Sequence, residues 1–281
     1  MAEARTRFAP SPTGPLHLGH AFSALTAFDR ARAAGGVMLL RIEDIDSTRC
    51  RPEWEALIFD DLAWLGIDWP RPVQRQSARL PAYGAALDRL AVMGLTYPCR
   101  CRRADIRAAL AAPHAPVLGP DGPVYPGTCR TRPMDQAGPD DAIRLNMQAA
   151  LARLGTLPAF TETGPSHAGR HALDREALIE TVGDVVLARR DLGTSYHLAV
   201  VVDDAFQQVT EVTRGEDLFE ATPIHVLLQC LLGLPSPSYH HHRLIVDEAG
   251  KRLAKRDDAR ALARYRADGA TPQDIRRLVG L

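Results

Sequence analysis

Two histidines, His17 and His20, flank Gly19 directly after the run Arg7-Phe8-Ala9-Pro10-Ser11-Pro12-Thr13-Gly14-Pro15-Leu16. Leu18, Phe22, Leu25 and Phe28 recur at helical spacing, so the histidines fall at a helix N-terminus. Arg5 to Ala9 reads as a short strand stopped by a rigid proline turn. Backbone N–H groups without intrahelical partners, together with the helix dipole, make such a position attractive to an anion, phosphate above all. Glycine lets the backbone come close, and imidazole N–H donors stabilise charge developing on a phosphoryl centre.

A second cluster is Cys99-Arg100-Cys101 with Cys129 a loop later. Three thiols at this spacing suit a structural zinc site, which takes four ligands. Five cysteines without a secretory leader are poor evidence for disulfides, and Cys50 and Cys230 read as ordinary packing or helix residues. On chemical grounds His114 is a candidate fourth ligand, since imidazole binds zinc readily. The run Tyr239-His240-His241-His242-Arg243 does not read as a metal cluster, because side chains alternate faces along a strand; one of the three is a candidate to face a nucleotide. Only two of the 34 basic residues are lysines, Lys251 and Lys255, four positions apart. Lysine is a compact point charge and arginine a planar fork, so this segment suggests a site that needs the former.

The elements that must position these residues follow from the same periodicities. Gly35-Gly36 precedes the apolar run Val37-Met38-Leu39-Leu40-Arg41-Ile42, and strand, helix, strand in succession predict a parallel βαβ unit. Helical patterns cover Pro52 to Leu65 and Ser77 to Met93. From Cys99 to about Gly169 the chain is rich in Pro, Gly and Ala without long periodicity, which reads as an insert. Regular structure resumes over Thr181 to Leu187, and Leu198-Ala199-Val200-Val201-Val202 reads as a buried strand. A helix from Pro223 to Leu232 follows, then the lysine segment and a short basic helical tail. The expected fold class is α/β: a Rossmann-like parallel-sheet nucleotide-binding domain over residues 1–98 and 176–246, interrupted by a zinc-containing inserted subdomain at 99–175. The lysine loop and tail occupy 247–281.

Composition sets the bounds. An apolar fraction of 46% and a charged fraction of 24% over 281 residues are ordinary for a globular chain. No apolar run approaches the roughly 18 residues of a membrane span, so the expected location is the cytoplasm. Zero net charge argues against a protein held on nucleic acid by its overall field, while leaving room for a local basic face. The basic residues of the tail, Lys251, Arg252, Lys255, Arg256, Arg260, Arg264 and Arg266, suit either RNA phosphates or a solvated helix face.

The Arg7-to-His20 segment closely resembles the signature of the glutamyl branch of class I aminoacyl-tRNA synthetases. The second signature of that family, a lysine loop, has its counterpart at Arg252-Leu253-Ala254-Lys255-Arg256. Arg252 and Ala254 depart from the family pattern, so only Lys255 carries over. The resemblance implies ATP binding by His17, Gly19, His20 and Lys255, with His17, His20 and Lys255 acting in catalysis. It also places Arg7, Ala9, Ser11, Glu43, Tyr196 and Arg214 on glutamate-binding positions. The chemistry agrees, since two carboxylates call for forked arginines and one ammonium calls for an acid. For the metal it implies Cys99, Cys101, Tyr125 and Cys129, Tyr125 competing with His114 for the fourth place.

Glutamyl-tRNA synthetases continue into helical anticodon-reading domains, whereas this sequence runs about 25 residues past the lysine loop. The resemblance therefore narrows to a truncated paralogue. It implies glutamate activation with ATP and magnesium, without tRNA, and transfer to queuosine in the anticodon loop of tRNA(Asp) by a monomer. Two other readings remain open: a glutamate-activating paralogue that serves another acceptor, and a catalytically inactive, zinc-containing RNA-binding module.

Overall fold

The computed structural model describes residues 3–110, 116–246 and 260–281. His114 and the lysine loop, with Lys251, Arg252, Lys255 and Arg256, lie outside the described residues.

The chain opens with β1 (Arg5–Phe8), α1 (Leu18–Ala33) and β2 (Val37–Ile42). β1 and β2 pair in parallel, Arg7 opposite Leu39, as the strand-helix-strand pattern predicts. α2 (Pro52–Trp64) and β3 (Gln74–Arg75) follow, and β3 adds to β2 in parallel. Then come α3 (Leu80–Val92), β4 (Thr96–Cys99), α4 (Arg103–Ala109), the small hairpin β5 (Leu118–Gly119) and β6 (Gly122–Pro123), β7 (Ala142–Leu145) and α5 (Met147–Arg153). β8 (Ala159–Glu162), β9 (Gly169–Ala172), α6 (Arg175–Ala177) and β10 (Val186–Ala188) lead into α7 (Tyr196–Phe206), β11 (Glu211–Gly215), α8 (Thr222–Leu232) and β12 (Ser238–His242). α9 (Leu262–Ala267) and α10 (Pro272–Val279) close the fold.

Two half-sheets meet edge to edge. One has the order β1-β2-β3, the other β11-β12-β8-β9, where β11, β12 and β8 run parallel and β9 antiparallel. The Thr210 N–H donates to the Arg5 carbonyl at 2.9 Å, which sets β1 beside β11. Successive connections leave these two strands in opposite directions, one toward β2 and the other toward β12. The carboxyl ends of β1 and β11 therefore border a topological switch point, where α/β sheets leave a crevice for ligands. β8 and β9, within the segment read as an insert, hydrogen-bond into this parallel sheet, while β4, β7 and β10 form a separate antiparallel sheet.

One expectation is corrected. Leu198 to Val202 is not a buried strand but the middle of α7. The Ser195 side chain accepts from the Leu198 N–H as an N-cap, and His197 to Val201 are all buried. A run apolar on every side fits a buried helix as well as a parallel strand, and β-branched propensity yields to burial and capping. The tail is no loose appendage either: Leu262, Ile275 and Val279 are buried with α1, and Arg276 forks onto Asp29 at 2.7 and 2.9 Å.

Candidate active site

At the switch point lies a cavity of about 390 Å³. It is lined by Arg7, Ala9, Ser11, His17, Gly19, His20, Glu43, Tyr196 and Arg214, so the described residues expected at the glutamate and ATP sites converge on one place. His242 from β12 joins them, as do Ser23, Thr213, Asp217 and Arg243. Of the three consecutive histidines, His242 is the one that lines this cavity, while His241 points into the protein, as alternation along β12 requires.

At one wall, α1 begins with a capping box of two histidines, His17 at the N-cap and His20 three residues on. The Gly19 N–H donates to Nδ1 of His17, and the His17 N–H donates to Nδ1 of His20, both at 3.1 Å. In the neutral rings this leaves Nε2 as the protonated nitrogen of each, two N–H donors beside the helix N-terminus. A Cβ on Gly19 would stand 3.0 Å from His17 Cε1, which explains the glycine between them. The arrangement suits the phosphate chain of a nucleotide.

Arg214, buried on β11, faces the cavity with every donor taken by an uncharged group. Its Nε–H reaches His241 Nε2 at 3.0 Å; Nη1 reaches His225 Nδ1 at 3.0 Å and Tyr196 Oη at 3.4 Å; Nη2 reaches Thr222 Oγ1 at 2.8 Å and the Leu218 carbonyl at 3.2 Å. Burial and the adjacent guanidinium push His241 down to about 4 and His225 well below the usual imidazole range, so both rings accept. Behind His241, Glu162 takes its Nδ1–H at 2.5 Å. Among the described residues no carboxylate pairs with Arg214 itself. A buried cation without a counter-ion is costly, and an anionic ligand relieves that cost.

Arg7, on β1, sits differently. Its Nε lies 3.3 Å from Asp204 and its Nη1–H donates to the Thr213 carbonyl at 2.9 Å. Asp204 also takes Arg41 at 2.7 Å, and Arg41 reaches Glu43 at 3.3 Å. Burial would raise the Asp204 carboxyl, but Arg7 and Arg41 outweigh it and hold the group below the usual carboxylate range. Burial prevails at Glu43 and raises it despite Arg41. Neighbouring Asp203 is held by Gln76, Arg79 and Tyr83 at 2.7 to 3.1 Å. Reading the sequence missed Arg41, Asp203, Asp204, His225 and Glu162. Two adjacent acids in an apolar run were the available signal, since buried acids need partners.

Away from this cavity, the Sγ atoms of Cys99, Cys101 and Cys129 all lie within 4.8 Å of one another, Cys101 and Cys129 at 3.6 Å. Tyr125 Oη stands 3.3 Å from Cys99 Sγ, 3.4 Å from Cys101 Sγ and 2.9 Å from the Cys129 nitrogen. Zn–S bonds of about 2.3 Å in a tetrahedron separate sulfurs by about 3.8 Å. The three thiols, with the phenol beside them, are thus spaced so that they could hold a tetrahedral ion. Burial raises the Cys129 thiol, yet hydrogen bonds from Tyr125 and its neighbours outweigh it and bring the group down to about 7, while burial pushes the adjoining Cys101 thiol up to about 11 and the Tyr125 phenol up as well, so without an ion Cys129 is the cluster's readiest thiolate.

Fold and cavity together define a class I synthetase-type enzyme, and the comparisons agree. The model of the tRNA synthetases class I (E and Q) catalytic domain matches residues 3–119 and 168–281, so the chain belongs to that family and is an enzyme of the ligase type. Along nearly its whole length it is similar to proteins named glutamyl-Q tRNA(Asp) synthetase, as its motifs suggest. Identity is 64% with that of Rhodobacter capsulatus, covering 98% of this chain and 99% of the relative. It is 41% with that of Symbiobacterium thermophilum, covering 96% and 83%. A solved glutamate tRNA ligase from Elizabethkingia meningosepticum, in complex with its amino acid, superposes with a TM-score of 0.79 at 27% identity. The superposition covers all of this chain but 61% of that ligase. Methionyl-tRNA synthetase of Mycobacterium tuberculosis, at 11% identity and a TM-score of 0.60, shares the fold alone.

Proposed function

We propose that the protein activates glutamate with ATP as glutamyl-adenylate, without needing tRNA, and transfers it to the queuosine base in the anticodon loop of tRNA(Asp). Arg214 carries this reading: a buried cation with no carboxylate partner among the described residues, next to a helix N-terminus suited to phosphate. Arg214 and Tyr196 hold one carboxylate of glutamate, Arg7 the other, and Glu43 the ammonium, with Ala9 and Ser11 shaping the wall. His17 and His20 direct their Nε2–H groups at ATP phosphates beside Gly19, and Lys255 neutralises the leaving pyrophosphate.

The glutamate α-carboxylate attacks the α-phosphorus and pyrophosphate departs; a hydroxyl of the queuosine ring then attacks the acyl carbon of the adenylate, the acyl–phosphate bond breaks, AMP leaves, the hydroxyl proton is lost, and an ester remains. No covalent enzyme intermediate is required, so positioning and charge stabilisation supply the catalysis. Magnesium accompanies ATP. Cys99, Cys101, Cys129 and Tyr125 hold one structural zinc, which ties β4 to the segment around residue 129 within the inserted subdomain. The protein works as a cytoplasmic monomer, as the relatives' tRNA substrate suggests. Among the described residues no helix is long and apolar enough to cross a membrane.

ATP–pyrophosphate exchange across a panel of amino acids, without RNA, tests activation: glutamate alone should support exchange. Labelled glutamate should then pass to queuosine-containing tRNA(Asp) as an alkali-labile ester, and periodate treatment of the tRNA beforehand should abolish the transfer. Exchange with another amino acid, or labelling of tRNA lacking queuosine, would overturn the assignment.

A further inference from the structure

We infer that Asp121, in the turn between β5 and β6, is a positioning residue that orients Arg214 for the substrate through His197 and His225. The inference rests on the proposed role of Arg214 as the holder of a glutamate carboxylate. The chain of contacts crosses four elements. Arg214 Nη1 meets His225 Nδ1 at 3.0 Å; His225 Nε2 meets His197 Nδ1 at 3.0 Å; His197 Nε2 meets the Asp121 carboxylate at 2.9 Å.

Both ends of this chain have one possible polarity. A guanidinium only donates and a carboxylate only accepts. His225 therefore accepts at Nδ1 and, as a neutral ring, donates from Nε2; His197 accepts at Nδ1 and donates from Nε2 to Asp121. No other proton arrangement of two neutral rings avoids two lone pairs or two N–H groups facing each other. Both histidines are buried, so a mismatched contact has no water to relieve it. The tautomers are set from Asp121 inward, and with them the lone pair that holds one edge of the guanidinium.

Placing the acid two rings away has a chemical consequence. A carboxylate in contact with Arg214 would neutralise it and compete with the substrate. Behind two neutral imidazoles it supplies orientation and leaves the charge for the ligand. On its other edge Arg214 meets the same design, since His241 is backed by Glu162. The guanidinium is thus clamped between two carboxylate-backed histidines, which favours a substrate carboxylate over an amide of the same shape.

Pyrophosphate exchange, measured with tRNA(Asp) present and titrated with glutamate and with glutamine, tests this in Asp121→Ala, Asp121→Asn and Arg214→Ala proteins. Asp121 is half exposed, so its variants should fold, and thermal melts check that they do. Asp121→Ala should raise the glutamate KM about three- to tenfold, with a smaller change in kcat and a narrower preference over glutamine, the scale of one hydrogen bond. Asp121→Asn keeps an accepting oxygen and should restore most of the affinity. A large KM effect of Arg214→Ala with none from Asp121→Ala overturns the relay and leaves the pocket standing. A fall in kcat alone in Asp121→Ala, unrescued by asparagine, also overturns it. No effect of Arg214→Ala overturns the pocket and the relay with it.

Discussion

The ligand cavity and the cysteine cluster achieve order by opposite means. The cavity is assembled from residues more than 200 positions apart in sequence, such as Arg7 and Arg214, brought together by neighbouring parallel strands. Its walls are held largely by buried ion pairs and hydrogen bonds among its own residues. The cysteine cluster draws on a short stretch, Cys99 to Cys129, and on a small satellite core of Tyr97, Cys99, Tyr125 and Cys129. α4, next to it, buries none of its residues. A core so small contributes little apolar burial, so a bound ion would supply much of its stability. One region binds because it is rigid; the other becomes rigid by binding.

Breaking the cavity should have the largest effect. Asp204→Ala leaves Arg7 buried without its ion-pair partner and takes from Arg41 its shortest one, Glu43 remaining at 3.3 Å; a loss of about 3–5 kcal/mol is expected, read by denaturant unfolding. A loss under about 1 kcal/mol would mean the network does not hold the wall.

Metal removal sharpens the contrast. Chelation, or Cys99→Ser, should loosen residues 96–132 to hydrogen exchange while β1, β2 and β11 stay protected and pyrophosphate exchange persists. Elemental analysis of the untreated protein should find about one zinc per chain. Unchanged protection after chelation would make the cluster a plain core.

The smallest effect concerns a buried acid outside both regions. Asp61, on α2, is 1% exposed, and among the described residues neither carboxylate oxygen has a hydrogen-bond partner. Burial raises it to about 6, with Arg266 opposing. Because the folded state holds this proton more tightly than the unfolded chain, the group destabilises the fold above about pH 6. The penalty fades as pH falls from about 6 toward the ordinary carboxyl range. Asp61→Asn should therefore stabilise by on the order of 1–3 kcal/mol at pH 8 and by almost nothing at pH 4, measured by thermal unfolding. A pH-independent effect would point to packing instead.

Local pattern carried much of this far. The turn from β1 into α1, the βαβ start, α2, α3 and α8 all follow from caps, proline and apolar spacing. Type and spacing alone marked the histidines and glycine at the start of α1 and the three thiols, whereas Arg7, Ala9, Ser11, Glu43, Tyr196, Arg214 and Tyr125 were marked by the resemblance to the synthetase signatures. Local pattern misjudged α7, since an all-apolar run has no face to betray its period.

The amino-acid sequence by itself determined which groups can do chemistry: donors at a helix start, forked cations, and thiols at metal spacing. Only the tertiary structure decided how each is charged and held. Arg7 and Arg214 are alike in sequence, yet one shares the Asp204 carboxylate with Arg41 and the other, bonded to His225 and His241, meets no carboxylate among the described residues. That difference depends on partners from distant strands and helices, whose meeting is set by sheet order and burial rather than by any local signal.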